Sequence, residues 1–158
     1  MATPTQYQCF KDIYDREAKR CELLIDRGKL YLSVITIYVG LLGIASKEII
    51  PKASASSLAT ILYVASLVGF VMALLLLICS TGIYTHFYPT DPIKVIRGFG
   101  AEPPTDEDFF DKRIAEIASA FERFHQVNDQ RAQLLKYASW FMVLGVASQA
   151  YVLSLIIL

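Results

Sequence analysis

Three runs of this chain, residues 30–46, 58–80 and 137–158, contain no Asp, Glu, Lys, Arg or His. No other feature constrains the fold as much. A helix packed in a water-soluble core keeps a polar stripe somewhere around its circumference, and these runs have none. About 17 to 25 apolar residues cross the hydrocarbon of a bilayer as a helix. The run from Leu30 to Ser46 has 17 residues, and that from Leu58 to Ser80 has 23, including the stretch Leu74 to Ile78. The third runs from Tyr137 to Leu158. Charges stand at their ends instead: Arg27 and Lys29, Lys47 and Lys52, Arg131 and Lys136. The expected fold is an all-α membrane protein with three transmembrane helices, at 30–46, 58–80 and 137–158.

Orientation follows from the Lys and Arg between the spans. Residues 1–29 hold six, residues 81–136 hold seven, and residues 47–57 hold Lys47 and Lys52. Thirteen of fifteen basic residues then fall on one side, which the positive-inside rule makes the cytoplasm. Residues 47–57, with Pro51, Ser54, Ser56 and Ser57, read as a short outer loop. Leu158 is expected at the far face. Tyr31, Tyr38, Tyr63, Tyr137 and Trp140 include several at span ends, where amphipathic rings anchor. The expected location is the cell inner membrane, multi-pass, with a cytoplasmic N-terminus. No signal peptide is expected, since the first apolar run follows a long charged stretch.

Two amphipathic helices are expected to lead into spans. In residues 1–29 the helix covers roughly Thr5 to Lys29. Tyr7, Phe10, Tyr14, Cys21 and Leu24 recur at three and four spacing, and Glu17 interrupts the stripe. Lys11, Asp12, Asp15, Arg16, Lys19 and Glu22 form the other face, and only Gly28 stands before the span. In residues 81–136 a breaker-rich loop, Pro89 to Pro104, precedes Thr105, a good N-cap followed by Asp106, Glu107 and Asp108. Phe110, Ile114, Ile117, Phe121, Phe124 and Asn128 then form a heptad-like seam that continues through Arg131 and Leu135. The two seams can pack on each other within one chain or between chains. A homo-oligomer is expected, because two half-apolar helices have little else to bury against.

Little here carries chemistry, and the expectation is a chain that is not an enzyme and holds no cofactor or metal. His86 and His125 are the only histidines, and His125 with Glu122 and Asp129 reads as a solvated face, since zinc usually has more His or Cys ligands. There is no Gly-Lys-Ser/Thr phosphate loop. Arg97 to Gly100 is too short for a dinucleotide fingerprint and lacks the strand before it. No serine sits in a nucleophile elbow. Cys9, Cys21 and Cys79 are an odd, widely spaced set and read as plain small residues rather than a disulfide framework. The net charge of zero leaves no electrostatic footprint for direct nucleic-acid binding. Uncharged spans offer no carrier for a proton relay.

The spans do contain ordered small and polar residues. Ser33, Thr36, Gly40 and Gly43 fall on one face of the first span, and Ser66, Gly69 and Ala73 on one face of the second. Ser148 and Gln149 lie midway along the third. Small residues let membrane helices approach closely. In an oligomer the first stripe could also line a narrow, uncharged pore. The two readings are compatible where the packing partner is another subunit.

This layout resembles the small transmembrane effectors of bacterial anti-phage systems, of the SLATT and Pycsar-associated transmembrane kind. The residues carrying the resemblance are Asp26 to Leu32, where the first span begins, and Asn128 to Leu135, where the third begins. It covers nearly the whole chain. It implies a homo-oligomer that breaches the inner membrane when triggered and stops phage spread by abortive infection. No added nucleotide-sensing domain of the kind many such effectors have is expected in residues 1–158. The trigger would then reach it from a sensor protein or a signalling nucleotide, through a partner or through residues 89–136. From another class, a non-conducting membrane anchor would recruit a soluble partner through the same helices.

Overall fold

A computed structural model describes residues 3–53, 56–82, 94, 98 and 105–157. The Pro89–Pro104 loop apart from Lys94 and Gly98, His86, and Leu158 lie outside the described residues. Among the described residues there is no strand. Three helices follow in order: α1, Pro4–Ala53; α2, Ser57–Gly82; and α3, Asp106–Ile157. Each is long and apolar enough to cross a membrane, with best-window mean hydropathies of 1.6, 2.8 and 1.4. At about 1.5 Å per residue, the 26 residues of α2 extend about 39 Å, beyond the ~30 Å of bilayer hydrocarbon.

Local chemistry sets the helix starts. Thr3 Oγ1 accepts from the Gln6 amide at 3.3 Å, and Gln6 Oε1 accepts from the Thr3 amide at 2.9 Å. That reciprocal pair is a capping box, and Pro4 fills the first helical position, where its missing N–H is not needed. Thr105 caps α3 as expected, accepting from the Asp108 amide at 3.2 Å while its hydroxyl donates to the Asp108 carboxylate at 2.6 Å. Asp106, Glu107 and Asp108 occupy that first turn. Ser56 Oγ faces the Ala59 amide at 3.5 Å at the start of α2.

At the other end of α1, residues 47–53 are helical rather than loop. Lys47 and Glu48 suit a helix, and Ile49 is buried in a cluster with Ala59, Tyr63 and Val152. Pro51 falls in the last turn, where few further backbone bonds depend on its missing donor.

The chain divides into two compact units. Unit 1 comprises Met1–Leu24 and Tyr84–Asp129; unit 2 comprises Ile25–Ile83 and Gln130–Leu158. In unit 1 the two helices run parallel, since Tyr7 meets Phe110 and Tyr14 meets Phe124, with ring centroids 5.7 and 5.6 Å apart. Buried positions are Tyr14, Glu17 and Cys21 on α1, and Arg113, Ile117, Ala120, Phe124 and Asn128 on α3.

Unit 2 is a three-helix bundle whose inner face repeats every seven residues. On α1 the buried positions are Gly28, Ile35, Leu42 and Ile49. On α2 they are Ala59, Tyr63, Ser66, Phe70, Ala73, Leu77 and Ser80. Two glycines bring helices together: Gly69 lies against the Phe141 carbonyl, and the Phe70 ring fills the space beside Gly145. The outer surface of this unit is apolar, with Val34, Leu41, Ile61, Val68, Leu75, Trp140 and Val143 all exposed. So large an apolar surface on the uncharged stretches of these helices suits hydrocarbon, not water.

Candidate functional site

The seam residues of α3 divide into two sets in unit 1. Ile117, Phe124 and Asn128 are buried, while Phe110, Ile114 and Phe121 are half-buried. Phe124 meets the Tyr14 ring edge-on, at 83° between planes. Phe110 packs between Tyr7 and its own neighbour Phe109. Phe121 stacks on the His125 ring at 5.6 Å. The seams expected from spacing therefore meet within one chain, at least along the Tyr7–Asn128 stretch.

One polar cluster interrupts this packing. Asn128, fully buried, donates its side-chain amide to the Glu17 carbonyl at 3.1 Å and to Glu17 Oε1 at 2.9 Å. Arg20 bridges the helices, donating to Glu17 Oε1 at 3.0 Å and to Asp129 Oδ1 at 2.8 Å. The hydrogen bond to Asp129 first, and the charge of Glu17 after it, hold the Arg20 guanidinium above its ordinary pKa against the opposing pull of desolvation. Its charge is present at every physiological pH. His125 lies between the two carboxylates, Nδ1 3.5 Å from Glu17 Oε1 and Nε2 3.4 Å from Asp129 Oδ2.

The energies are uneven. Arg20 and Asp129 have side chains 39% and 47% exposed, so water screens their pair and it contributes about 0.2–1 kcal/mol. Asn128 Oδ1 is buried and accepts no hydrogen bond, which costs about 1–3 kcal/mol. The exposed pair thus adds little, and the unmet Asn128 acceptor offsets part of what the two Asn128 donor bonds contribute.

Spacing alone placed Glu17 as a break in the α1 stripe, yet it is buried within that stripe. It lies three residues after Tyr14 and four before Cys21, in phase with both. Phe10, expected in the stripe, is exposed instead. Spacing places Glu122 and Asp129 near His125 on its own helix; the carboxylates that face it are Asp129 and, across the seam, Glu17. Among the described residues no group of three His, Cys, Asp or Glu is placed to hold a metal ion.

The small-residue face of the first span has the opposite character. Ser33, Thr36, Gly40 and Gly43 are all exposed. A Cβ added at Gly40 or Gly43 would meet nothing within 4 Å. The Ser33 hydroxyl donates to the Lys29 carbonyl at 3.0 Å and that of Thr36 to the Leu32 carbonyl at 2.7 Å. Both hydroxyls are therefore satisfied along their own helix. Beside them a groove of about 130 Å³ is lined by Ile35, Thr36, Val39 and Leu74.

The stripe on the second span is consumed inside unit 2. Ser66 and Ala73 are buried and Gly69 is half-buried. The Ser66 hydroxyl donates to the Tyr63 carbonyl at 2.7 Å and accepts from the Gln149 amide. Gln149 is 1% exposed and its Oε1 accepts no hydrogen bond.

No family model matches the chain, and neither a curated protein nor a solved structure matches it.

Proposed function

We propose that this protein is a homo-oligomeric effector of the bacterial inner membrane, with its N-terminus in the cytoplasm, that permeabilises the membrane when triggered. The observation that carries the reading is the uncovered face of Ser33, Thr36, Gly40 and Gly43. The chain spends Gly69 and Gly145 on close packing inside unit 2, while Gly40 and Gly43 meet no neighbour. Two further glycines on a lipid-facing surface offer no packing gain to the monomer, and a helix from another subunit can approach there. In a ring of subunits that face would be narrow and uncharged, and could gate by dewetting. The resemblance to anti-phage effectors supplies the biological setting, abortive infection, with a sensor protein or signalling nucleotide as trigger.

A second reading, a non-conducting scaffold, rests on another surface. Lys11, Asp12, Asp15, Arg16, Lys19 and Glu22 are all exposed in unit 1 and would serve to recruit a soluble partner.

The test is Gly40→Leu, expressed beside the wild type with membrane potential recorded. The expected outcome is a variant that inserts and assembles but no longer depolarises cells. Leu41→Phe is the control, an enlargement at an exposed residue about 100° around the helix. Loss of assembly in Gly40→Leu would assign the face to packing alone. A wild type that assembles yet never depolarises cells, even with a phage trigger, leaves the scaffold.

A further inference from the structure

The buried surface of unit 1 has one polar turn set between less polar neighbours, with Arg113 buried farther along α3. Above it the Tyr14 ring meets Phe124, and below it Cys21 is buried. Between them sit Glu17 and Asn128. We propose that the Glu17–Asn128 contact is a releasable latch, which holds α1 against α3 in a closed state of unit 1 and is the first contact to give way when the helices part.

Three features support a latch rather than a simple structural bond. Glu17 Oε1 is shared among Asn128, Arg20 and His125. Asn128 leaves its own acceptor unmet in the closed state. Arg20, His125 and Asp129 are each between one-third and one-half exposed, so water already stands at the rim. On separation every one of these groups exchanges a protein partner for water, and Asn128 Oδ1 gains one. The edge-on contact of the Tyr14 and Phe124 rings is lost to water without such an exchange. A well-packed apolar pair in place of Glu17 and Asn128 would bind the helices more tightly, and a lone buried Asn in a heptad seam fixes register at the expense of strength. The opening step rests on this geometry alone; what opening does to the membrane rests on the effector reading.

Cys21 reports the state of the latch. With Cys9→Ser and Cys79→Ser it is the single cysteine of the full chain, and it lies one turn from Glu17. The experiment measures its labelling by N-ethylmaleimide in membrane vesicles, with helicity by circular dichroism as a check on folding. Asn128→Asp removes the donor and sets a second carboxylate against Glu17; labelling should accelerate at least tenfold with helicity retained. Glu17→Leu/Asn128→Leu should label no faster than the unsubstituted pair, because replacing both partners with apolar side chains closes the seam. If that double variant labels as fast as Asn128→Asp, the two residues are structural and the latch is wrong. If all three label alike, the contact does not hold the helices and the latch is again wrong. Membrane depolarisation, recorded on the same variants, separates the two levels. The expected Cys21 pattern without any depolarisation upholds the latch and removes the effector. Depolarisation that rises in Asn128→Asp without a change at Cys21 removes the latch and leaves the effector.

Discussion

The ring of Phe70 occupies the space that any side chain at Gly145 would need. A Cβ built on Gly145 would lie 2.9 Å from Phe70 Cζ and 3.0 Å from Cε1. Phe70 cannot easily yield, since it is 3% exposed and its other side meets Tyr38 at 5.0 Å between ring centroids. Gly145→Ala should therefore destabilise unit 2 by about 1–3 kcal/mol, the usual cost of overpacking. Gly40→Ala, with open space around it, should cost nothing measurable in the monomer. Thermal unfolding of both variants in detergent checks the contrast, and equal stabilities would contradict the Phe70–Gly145 contact.

Within the same unit, Gln149 and Ser66 allow a test of polar packing in the span. Ser66→Ala removes the acceptor for Gln149 Nε2 and leaves the whole amide buried without a partner. It should destabilise by about 1–2 kcal/mol, in the range of hydrogen bonds between membrane helices. Gln149→Leu removes the amide altogether, including its unmet Oε1, and should be neutral or stabilising. Chemical denaturation in mixed micelles measures both, and the opposite ordering would mean that the amide has partners elsewhere.

The seam of α3 can be split into inner and outer residues. Phe124 is 4% exposed and packs on Tyr14, so Phe124→Ala should cost about 3–5 kcal/mol and open unit 1 to proteolysis. Phe121 is half-buried and stacked on His125. Phe121→Asp should leave unit 1 protected while lowering the mass of a detergent-solubilised oligomer by light scattering. An unchanged mass would show that the outer half of the seam has no partner in another chain.

Topology is a separate prediction from the asymmetry of Lys and Arg. A reporter fused after Leu158 should behave as extracytoplasmic, and one inserted near Gly100 as cytoplasmic. Both on one side would remove the three-span arrangement with its cytoplasmic N-terminus.

The spans were legible because a bilayer imposes a rule that composition alone can display: no charge over a helix long enough to cross. The Thr105 cap was legible for a similar reason, since the Thr and the three acids after it act locally. Pairing across the chain was not. Glu17 looks like an interruption because a carboxylate is seldom buried, and its burial is accounted for by Arg20 beside it together with His125 and Asn128, more than 100 positions away. Both residues are in phase with their neighbours, Glu17 with Tyr14 and Cys21, Asn128 with Phe124 and Arg131. Two polar residues in phase on two matching stripes were the available signal. The end of α1 misleads in the other direction: Pro51, Ser54, Ser56 and Ser57 resemble a loop, but Ile49 is held by residues from α2 and α3 that local sequence does not show.

The inner face of α2 recurs at 59, 63, 66, 70, 73, 77 and 80, without a skipped step. Each residue of a helix turns the chain by about 100°. Adding or deleting a single residue between Ser66 and Phe70 would therefore swing everything beyond it out of phase. Ser66 would keep its place against Gln149 while Phe70 left Gly145, and Ala73, Leu77 and Ser80 would follow it toward lipid. Composition and hydropathy would hardly change, so insertion into the membrane would proceed as before. The length of this helix can thus vary within unit 2 only at its ends or by whole heptads. Sequences that share the fold should differ between Ala59 and Ser80 by exchange of side chains and not by gaps.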